Sequence, residues 1–167
     1  MGHDFAGYFP GTASEVTFGD TMGEIEVFVS RKSNFTDFHT DFQENFTIQM
    51  EGSKRWYLRT QPELQAPLLG FTPHYEATGN LETQTKVAQA FNGCDLGTSY
   101  SKERLMSEST EIVLNEGDIM YHPAGIWHKV ESVSDSVSIN FSLRQVRWAE
   151  LICNALRMQL LNNTQLR

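Results

Sequence analysis

Polar and apolar residues alternate along residues 45–50 and 137–143, and this period of two is typical of strands. In both segments one face is apolar and the other carries Ser, Thr, Asn or Gln. We expect the polar face of residues 137–143 to meet solvent. The alternative is that this face lines a wet cavity inside the fold.

Six further segments have the composition of strands, and Gly- or Pro-containing turns separate several of them. They are residues 24–29, 36–41, 54–60, 111–114, 119–122 and 127–132. After residue 143 the apolar period changes to 3.6, which predicts a C-terminal α-helix over residues 144–166. Many short strands followed by one helix indicate a mainly β fold, either a sandwich or a barrel.

The predicted helix has two apolar stripes. One stripe contains Ala149, Ile152, Cys153, Leu156 and Leu160, and the other contains Trp148, Leu151, Ala155 and Met158. The first can pack on the sheet, whereas the second needs another surface to cover it. We expect that surface to be the same helix of a second copy, in a homodimer. The alternative cover is residues 1–20, or flanking segments of a longer chain.

Two regions lack the strand pattern. Residues 1–20 are rich in Gly and aromatic residues and are interpreted as an irregular arm. Residues 61–109 are interrupted by Pro and Gly and form a long irregular insert, which we expect to act as a lid over the barrel mouth. Within the insert, residues 81–91 are predicted as a short helix with Asn80 as its N-cap.

The length of 167 residues fits a single domain over residues 1–167. The net charge of −8 argues against nucleic acid as a partner, because such binding depends on Lys and Arg. No apolar run approaches the roughly 18 residues that a membrane-spanning helix needs. The start shows no signal peptide, and two Cys fit a reducing compartment. We therefore expect a soluble intracellular protein, cytoplasmic or nuclear.

Three residues have the spacing of a metal site. His39 and Asp41 are two positions apart, so on a strand both side chains point to the same side. His128 follows a Pro-Gly turn at the start of a predicted strand. Two His and one carboxylate form the facial triad of non-haem Fe(II) oxygenases, which leaves three coordination positions for other ligands.

Residues 36–58 and 111–143 together resemble the Jumonji-C (JmjC) and cupin-like 2-oxoglutarate oxygenases. The family pattern is a Thr, an HxD motif, an Asn four residues after the Asp, a Lys on the next strand, and a distal His followed by an Asn. The matching residues are Thr36, His39, Asp41, Asn45, Lys54, His128 and Asn140. The pattern is most similar to that of the enzymes that hydroxylate asparagine in hypoxia-inducible factor.

The resemblance implies a double-stranded β-helix, the cupin jelly roll, in which His39, Asp41 and His128 hold Fe(II). It further implies that Lys54 and Thr36 bind the far carboxylate of 2-oxoglutarate, and that Asn45 and Asn140 form hydrogen bonds around the oxoacid or the iron ligands. Thr36 and His39 differ in strand parity, so a bend between them is required if both point inward. His122 is expected to have a structural or surface role.

The expected activity is that of an Fe(II)- and 2-oxoglutarate-dependent dioxygenase, a hydroxylase that uses dioxygen. Its substrate would be a peptide or protein side chain, or else a small metabolite. One alternative is a cupin metalloenzyme of another class, such as an isomerase or an oxygenase that does not use 2-oxoglutarate. The other is a non-catalytic jelly-roll binding module. Lys54 distinguishes the first alternative, because that class needs no buried cation at this position.

Overall fold

The computed structural model describes residues 5–9, 23–61, 64–73, 81–93 and 101–167. These residues form nine strands and three helices. The strands are β1 (Phe5–Phe9), β2 (Gly23–Ser30), β3 (Phe35–His39), β4 (Glu44–Glu51), β5 (Lys54–Arg59), β6 (Thr110–Leu114), β7 (Ile119–His122), β8 (Trp127–Ser132) and β9 (Ser136–Leu143). The helices are α1 (Leu81–Asn92), α2 (Lys102–Glu108) and α3 (Trp148–Asn162).

The strands form two sheets. Sheet one has the order β1-β2-β9-β4-β7, and sheet two has the order β3-β8-β5-β6. All neighbouring strands are antiparallel. This architecture confirms the predicted mainly β jelly roll. All eight predicted strands are present. The arm is not irregular throughout, because Phe5–Phe9 form β1 and pair with β2 at the edge of sheet one.

The polar faces of β4 and β9 point into the interior between the sheets, so the expectation that the polar face of β9 meets solvent was wrong. The buried residues on these faces are Asn45, Thr47, Gln49, Ser136, Ser138 and Ser142. Phe46 and Met50, on the apolar face of β4, are exposed. The alternation therefore predicted the polar and the apolar face of each strand correctly. The face that points into the interior is the polar one.

The insert packs its buried residues on the outer face of sheet two. Leu64, Phe71, Ala88 and Leu105 of the insert share a hydrophobic cluster with Phe38, Tyr57 and Trp127 of β3, β5 and β8. The prediction of a helix near residues 81–91 is confirmed by α1. Asn80 lies outside the described residues, and α2, with Ser101 as its N-cap, was not predicted. That the insert closes the barrel mouth stays a prediction.

Helix α3 begins at Trp148, four positions after the predicted start. At the N-terminus of the helix, the Glu150 side chain accepts a hydrogen bond from the Arg147 backbone N–H (3.2 Å). The helix buries none of its residues. The expectation that one stripe packs on a sheet was therefore wrong, and Cys153 of that stripe is exposed. Among the described residues, no helix is both long and apolar enough to cross a bilayer.

Candidate metal centre

The two predicted histidine ligands lie side by side on neighbouring strands. His39 at the end of β3 is the direct pairing partner of His128 on β8, and their ring centroids are 4.0 Å apart. Asp41 lies two positions after His39 in the chain. One potential ligand atom from each of the three residues lies within 4.8 Å of the others. The fold therefore brings together the triad whose spacing was apparent in the sequence.

A bulge in β3 lies between Thr36 and His39, so the side chains of both residues can point to the same side of the strand. The pairing of β3 with β8 shifts its register between Thr36 and His39, as the difference in strand parity requires. Thr36 lies opposite Val130, and its side chain is half-buried.

Both histidine rings are held by backbone carbonyl groups of their own strands. His39 Nδ1 lies 2.8 Å from the Asp37 carbonyl oxygen, and His128 Nδ1 lies 3.2 Å from that of Ile126. Because a carbonyl oxygen only accepts, each Nδ1 must carry the proton and donate it. In this tautomer the lone pair that would bind a metal ion lies on the Nε2 atom of each ring.

A network of amides and hydroxyls supports Asp41. Asn45 donates from Nδ2 to Asp41 Oδ2 (3.1 Å), and its Oδ1 accepts from Asn140 Nδ2 (3.1 Å) and Ser142 Oγ (2.7 Å). Thr47 Oγ1 in turn donates to Asn140 Oδ1 (2.9 Å). Asn45 thus contacts the Asp41 carboxylate directly, and Asn140 is linked to it through Asn45.

Gly125 joins the two ligand-bearing segments. Its backbone N–H donates to the Asp41 carbonyl oxygen at 2.8 Å, three residues before His128. Its φ of +82° is unfavourable for residues with a Cβ, and a Cβ there would lie 2.2 Å from the Leu64 carbonyl oxygen. Glycine at this position therefore allows the turn, the hydrogen bond and the close approach of the insert.

Lys54 points into the interior and is only 5% exposed. Its Nζ donates to Ser138 Oγ (2.9 Å) and lies 5.3 Å from the centroid of the Phe28 ring. Ser136, on the same face of β9 as Ser138, has a buried hydroxyl without a hydrogen-bond partner among the described residues. A cation and free hydrogen-bonding capacity are thus available inside the same barrel as the triad.

His122 also lies beside the triad, so a surface position is excluded, while a structural role stays a prediction. It is 2% exposed, and its ring centroid is 4.7 Å from that of His128. Burial lowers the pKa of His122, while the Asp41 carboxylate opposes this shift. The sequence signal that could have identified it is its place on β7, two residues after the inward-facing Met120.

Glu26 lies near the site and carries no motif in the sequence that would single it out. It is the direct pairing partner of Asn140 on β9. Partial burial raises the pKa of its carboxyl group, and a hydrogen bond with Asn140 partly offsets this shift. The carboxylates of Asp41 and Glu24 raise the pKa further, so an acidic group lies within electrostatic range of the candidate centre.

Comparison with protein families gives a match to the cupin-like domain over residues 6–145. The chain belongs to the cupin-like domain family. This cupin-like domain is 25% identical over 148 residues to the uncharacterized protein YxbC of Bacillus subtilis, covering 88% of the chain and 42% of the relative. It is 30% identical over 124 residues to the JmjC domain-containing protein F of Dictyostelium discoideum, covering 69% of the chain and 26% of that relative. The chain thus spans less than half the length of these relatives.

Solved structures with a similar arrangement share little sequence with this cupin-like domain. One is the ribosomal oxygenase YcfD of Escherichia coli, with a TM-score of 0.45 and 18% identity, covering 78% of this chain and 26% of that one. Another is a cupin superfamily protein of Desulfitobacterium hafniense, with a TM-score of 0.44 and 9% identity over 84% and 79% of the two chains. The expected cupin-like family is confirmed by the family match, and two of the sequence relatives are JmjC domain-containing proteins of Dictyostelium discoideum.

Proposed function

We propose that this cupin-like domain is an Fe(II)- and 2-oxoglutarate-dependent dioxygenase that hydroxylates its substrate. One observation carries the proposal: the interior that brings together His39, Asp41 and His128 also holds a buried lysine, Lys54. A metal triad alone would suit several cupin chemistries. The added cation suits a dianionic co-substrate, whose far carboxylate needs a positive partner out of water.

The donor set fits an Fe(II) ion. Two neutral imidazoles and one carboxylate form a facial triad, and its three open positions suit an oxoacid and dioxygen. The Nδ1 hydrogen bonds of His39 and His128 orient both Nε2 atoms before a metal binds. Asn45 restrains the Asp41 carboxylate by its hydrogen bond. Such supporting contacts are a recurring feature of metal sites in proteins.

The interior around Lys54 fits the far carboxylate of 2-oxoglutarate. Lys54 supplies the charge, and the hydroxyl groups of Ser136 and Ser138 can donate hydrogen bonds to carboxylate oxygens. Thr36, on β3, is proposed to donate to the same carboxylate. Asn140 is proposed to act on the co-substrate indirectly, because its described contacts are with Asn45, Thr47, Ser142 and Glu26.

When bound, iron and 2-oxoglutarate would supply the activation of dioxygen, with succinate and carbon dioxide as co-products. The residues of this chain would position the reactants and keep water out. His39, Asp41 and His128 would hold the ion, while Lys54 would neutralise the co-substrate charge and fix its direction. The substrate is proposed to be a peptide or protein side chain, such as the asparagine that the resemblance suggests, or else a small metabolite.

Anaerobic titration tests the proposal. Fe(II) and then 2-oxoglutarate are added to the protein, and we expect the weak visible absorption band of an iron-chelated oxoacid. Lys54→Ala should weaken 2-oxoglutarate binding about a hundredfold and leave iron binding intact, because a desolvated charge pair is lost. Lys129→Ala is the matched control, since Lys129 lies on the outer face of sheet two beside Glu131 and Tyr57.

Iron binding without the visible band would exclude the 2-oxoglutarate chemistry and favour a cupin metalloenzyme of another class. Unchanged 2-oxoglutarate affinity in Lys54→Ala would remove the assigned role of Lys54. Absence of metal binding would favour a non-catalytic binding module.

A further inference from the structure

Two buried nitrogen atoms beside the candidate centre lack the partners that buried polar atoms normally have. Trp56 is 7% exposed and His122 is 2% exposed. Neither Trp56 Nε1 nor His122 Nδ1 has a hydrogen-bond partner among the described residues. Most buried polar groups in native proteins are satisfied, and an unsatisfied one has a substantial free-energy cost. Two such atoms next to each other mark a place for a hydrogen-bonding group, either a ligand or a trapped water molecule.

The rings of these residues enclose His128 from both sheets. The Trp56 ring on β5 lies 6.0 Å from the His128 ring at an interplanar angle of 28°, and the His122 ring on β7 lies 4.7 Å from it. The Trp56 and His122 rings are themselves 5.9 Å apart. Both nitrogen-bearing side chains thus belong to the immediate surroundings of one candidate metal ligand.

Trp56 also lies between the metal triad and Lys54. The two residues are two positions apart on β5 and both point inward, so their Cα atoms are separated by about 6.6 Å along the strand. A five-carbon diacid that reaches from the triad to Lys54 must pass along the indole. Among the described residues, Trp56 also packs on the apolar side chains of Leu114 and Met120.

We propose that Trp56 Nε1 and His122 Nδ1 each donate a hydrogen bond to an oxygen atom of the bound oxoacid. They would thereby act as positioning residues in addition to Lys54. This inference rests on the proposed function. An indole N–H can only donate, and a carboxylate or keto oxygen can only accept, so the pairing of the two is chemically matched. The tautomer of His122 with a proton on Nδ1 meets the same requirement.

The test uses the Zn(II)-loaded protein, in which we expect 2-oxoglutarate to bind without turnover because zinc has no redox chemistry. Trp56→Phe keeps a ring and removes the N–H, and His122→Leu removes the imidazole. His122→Asn retains a donor near the position of Nδ1. We expect Trp56→Phe and His122→Leu each to weaken 2-oxoglutarate binding, measured by calorimetry, about tenfold or more, because each loses a hydrogen bond to a charged group. His122→Asn should keep most of the affinity.

An NMR measurement gives a second readout. The sequence has three Trp, so the indole N–H region is simple to assign with Trp56→Phe and Trp148→Phe. We expect 2-oxoglutarate to move the Trp56 indole proton downfield and to slow its exchange with water. Trp148, which is 80% exposed on α3, serves as the control and should neither shift nor alter affinity when substituted.

Each other result is decisive. If the variants bind 2-oxoglutarate as the wild type does, trapped water satisfies the two nitrogen atoms and the inference is wrong. If His122→Leu loses zinc, His122 is a metal ligand, and the inference is also wrong. If the wild type binds zinc but not 2-oxoglutarate, the proposed function fails, and the positioning role fails with it. Melting temperatures of all variants establish that each one is folded.

Discussion

The barrel interior and helix α3 distribute polar and apolar residues in opposite ways. The interior buries a lysine, two histidines and a series of hydroxyl and amide side chains from β4 and β9. Helix α3 exposes Trp148, Leu151, Ile152, Leu156, Met158 and Leu160, and it buries nothing. In an ordinary soluble domain the informative departures from the average are a buried polar group and an exposed apolar patch, and this molecule has both.

Each departure has a free-energy cost in the isolated chain. Polar side chains lose water on burial, and their mutual hydrogen bonds offset only part of that loss. Exposed apolar side chains forgo the roughly 25 cal/mol per Å² that burial would contribute. From this difference we infer that the two regions bind different kinds of partner. The interior suits a small charged ligand, and α3 suits an apolar surface.

The largest expected effect concerns the interior. Asp41→Ala removes the only carboxylate of the triad and should abolish both metal binding and turnover. The measurement is calorimetric titration with Fe(II) under anaerobic conditions, or with Zn(II). Asp37→Ala is the matched control, because the Asp37 side chain pairs with Lys102 and only its backbone carbonyl contacts His39. Metal affinity that survives in Asp41→Ala would show that the polar interior is not built around a cation at this place.

The second effect concerns α3, where we propose that the apolar face is covered by the same helix of a second copy. Leu151→Glu should weaken the homodimer about a hundredfold, because it places a charge in the apolar contact. Sedimentation velocity over a range of concentrations measures this change. Asn154→Glu adds the same charge to the polar face of α3, beside Glu150, and should leave the dimer intact. A monomeric wild type would exclude the homodimer and favour cover by another part of the same polypeptide.

A smaller effect is expected at the residue that supports Asp41. Asn45→Ala should lower metal affinity about tenfold to a hundredfold, because the carboxylate loses its Nδ2 hydrogen bond and its fixed orientation. Thr47→Val is the control on the same face of β4, since its hydroxyl bonds to Asn140 and not to Asp41. Equal affinities in the two variants would mean that the network maintains the barrel and has no specific effect on the metal.

The smallest effect is on stability. Lys54→Met keeps the length of the side chain and removes the buried charge, so the ligand-free protein should gain about 1 kcal/mol of unfolding free energy. For a chain of this length the melting temperature would rise by about 2–4 °C. Lys129→Met, on the outer face, should change it by less. A lower melting temperature in Lys54→Met would show that the amine stabilises the barrel through Ser138 and Phe28.

The strands and the His39–Asp41 pair of the triad were predictable because both depend on local spacing, whereas His128 was assigned from the Pro-Gly turn before it and from the family pattern. Alternation defined β4 and β9, and the HxD motif placed His39 and Asp41 on one side of the chain. The inward face of β4 was not predictable, since alternation gives two faces and burial is decided by the opposing sheet. His122 was missed for a related reason: its neighbours, Trp56 and His128, come from other strands. The exposure of α3 likewise depends on tertiary contacts.

The hydrogen bond from Ser142 to Asn45 joins residues that are 97 positions apart in the chain, and the Gly125 bond to Asp41 is also long-range. Contacts of this kind form only after a large loop has closed, which makes them late events in folding. We therefore expect the metal site to be completed late in folding, so that an ion would not direct the early steps. Added metal should leave the refolding rate nearly unchanged and slow unfolding instead, so it would act on the lifetime of the native state.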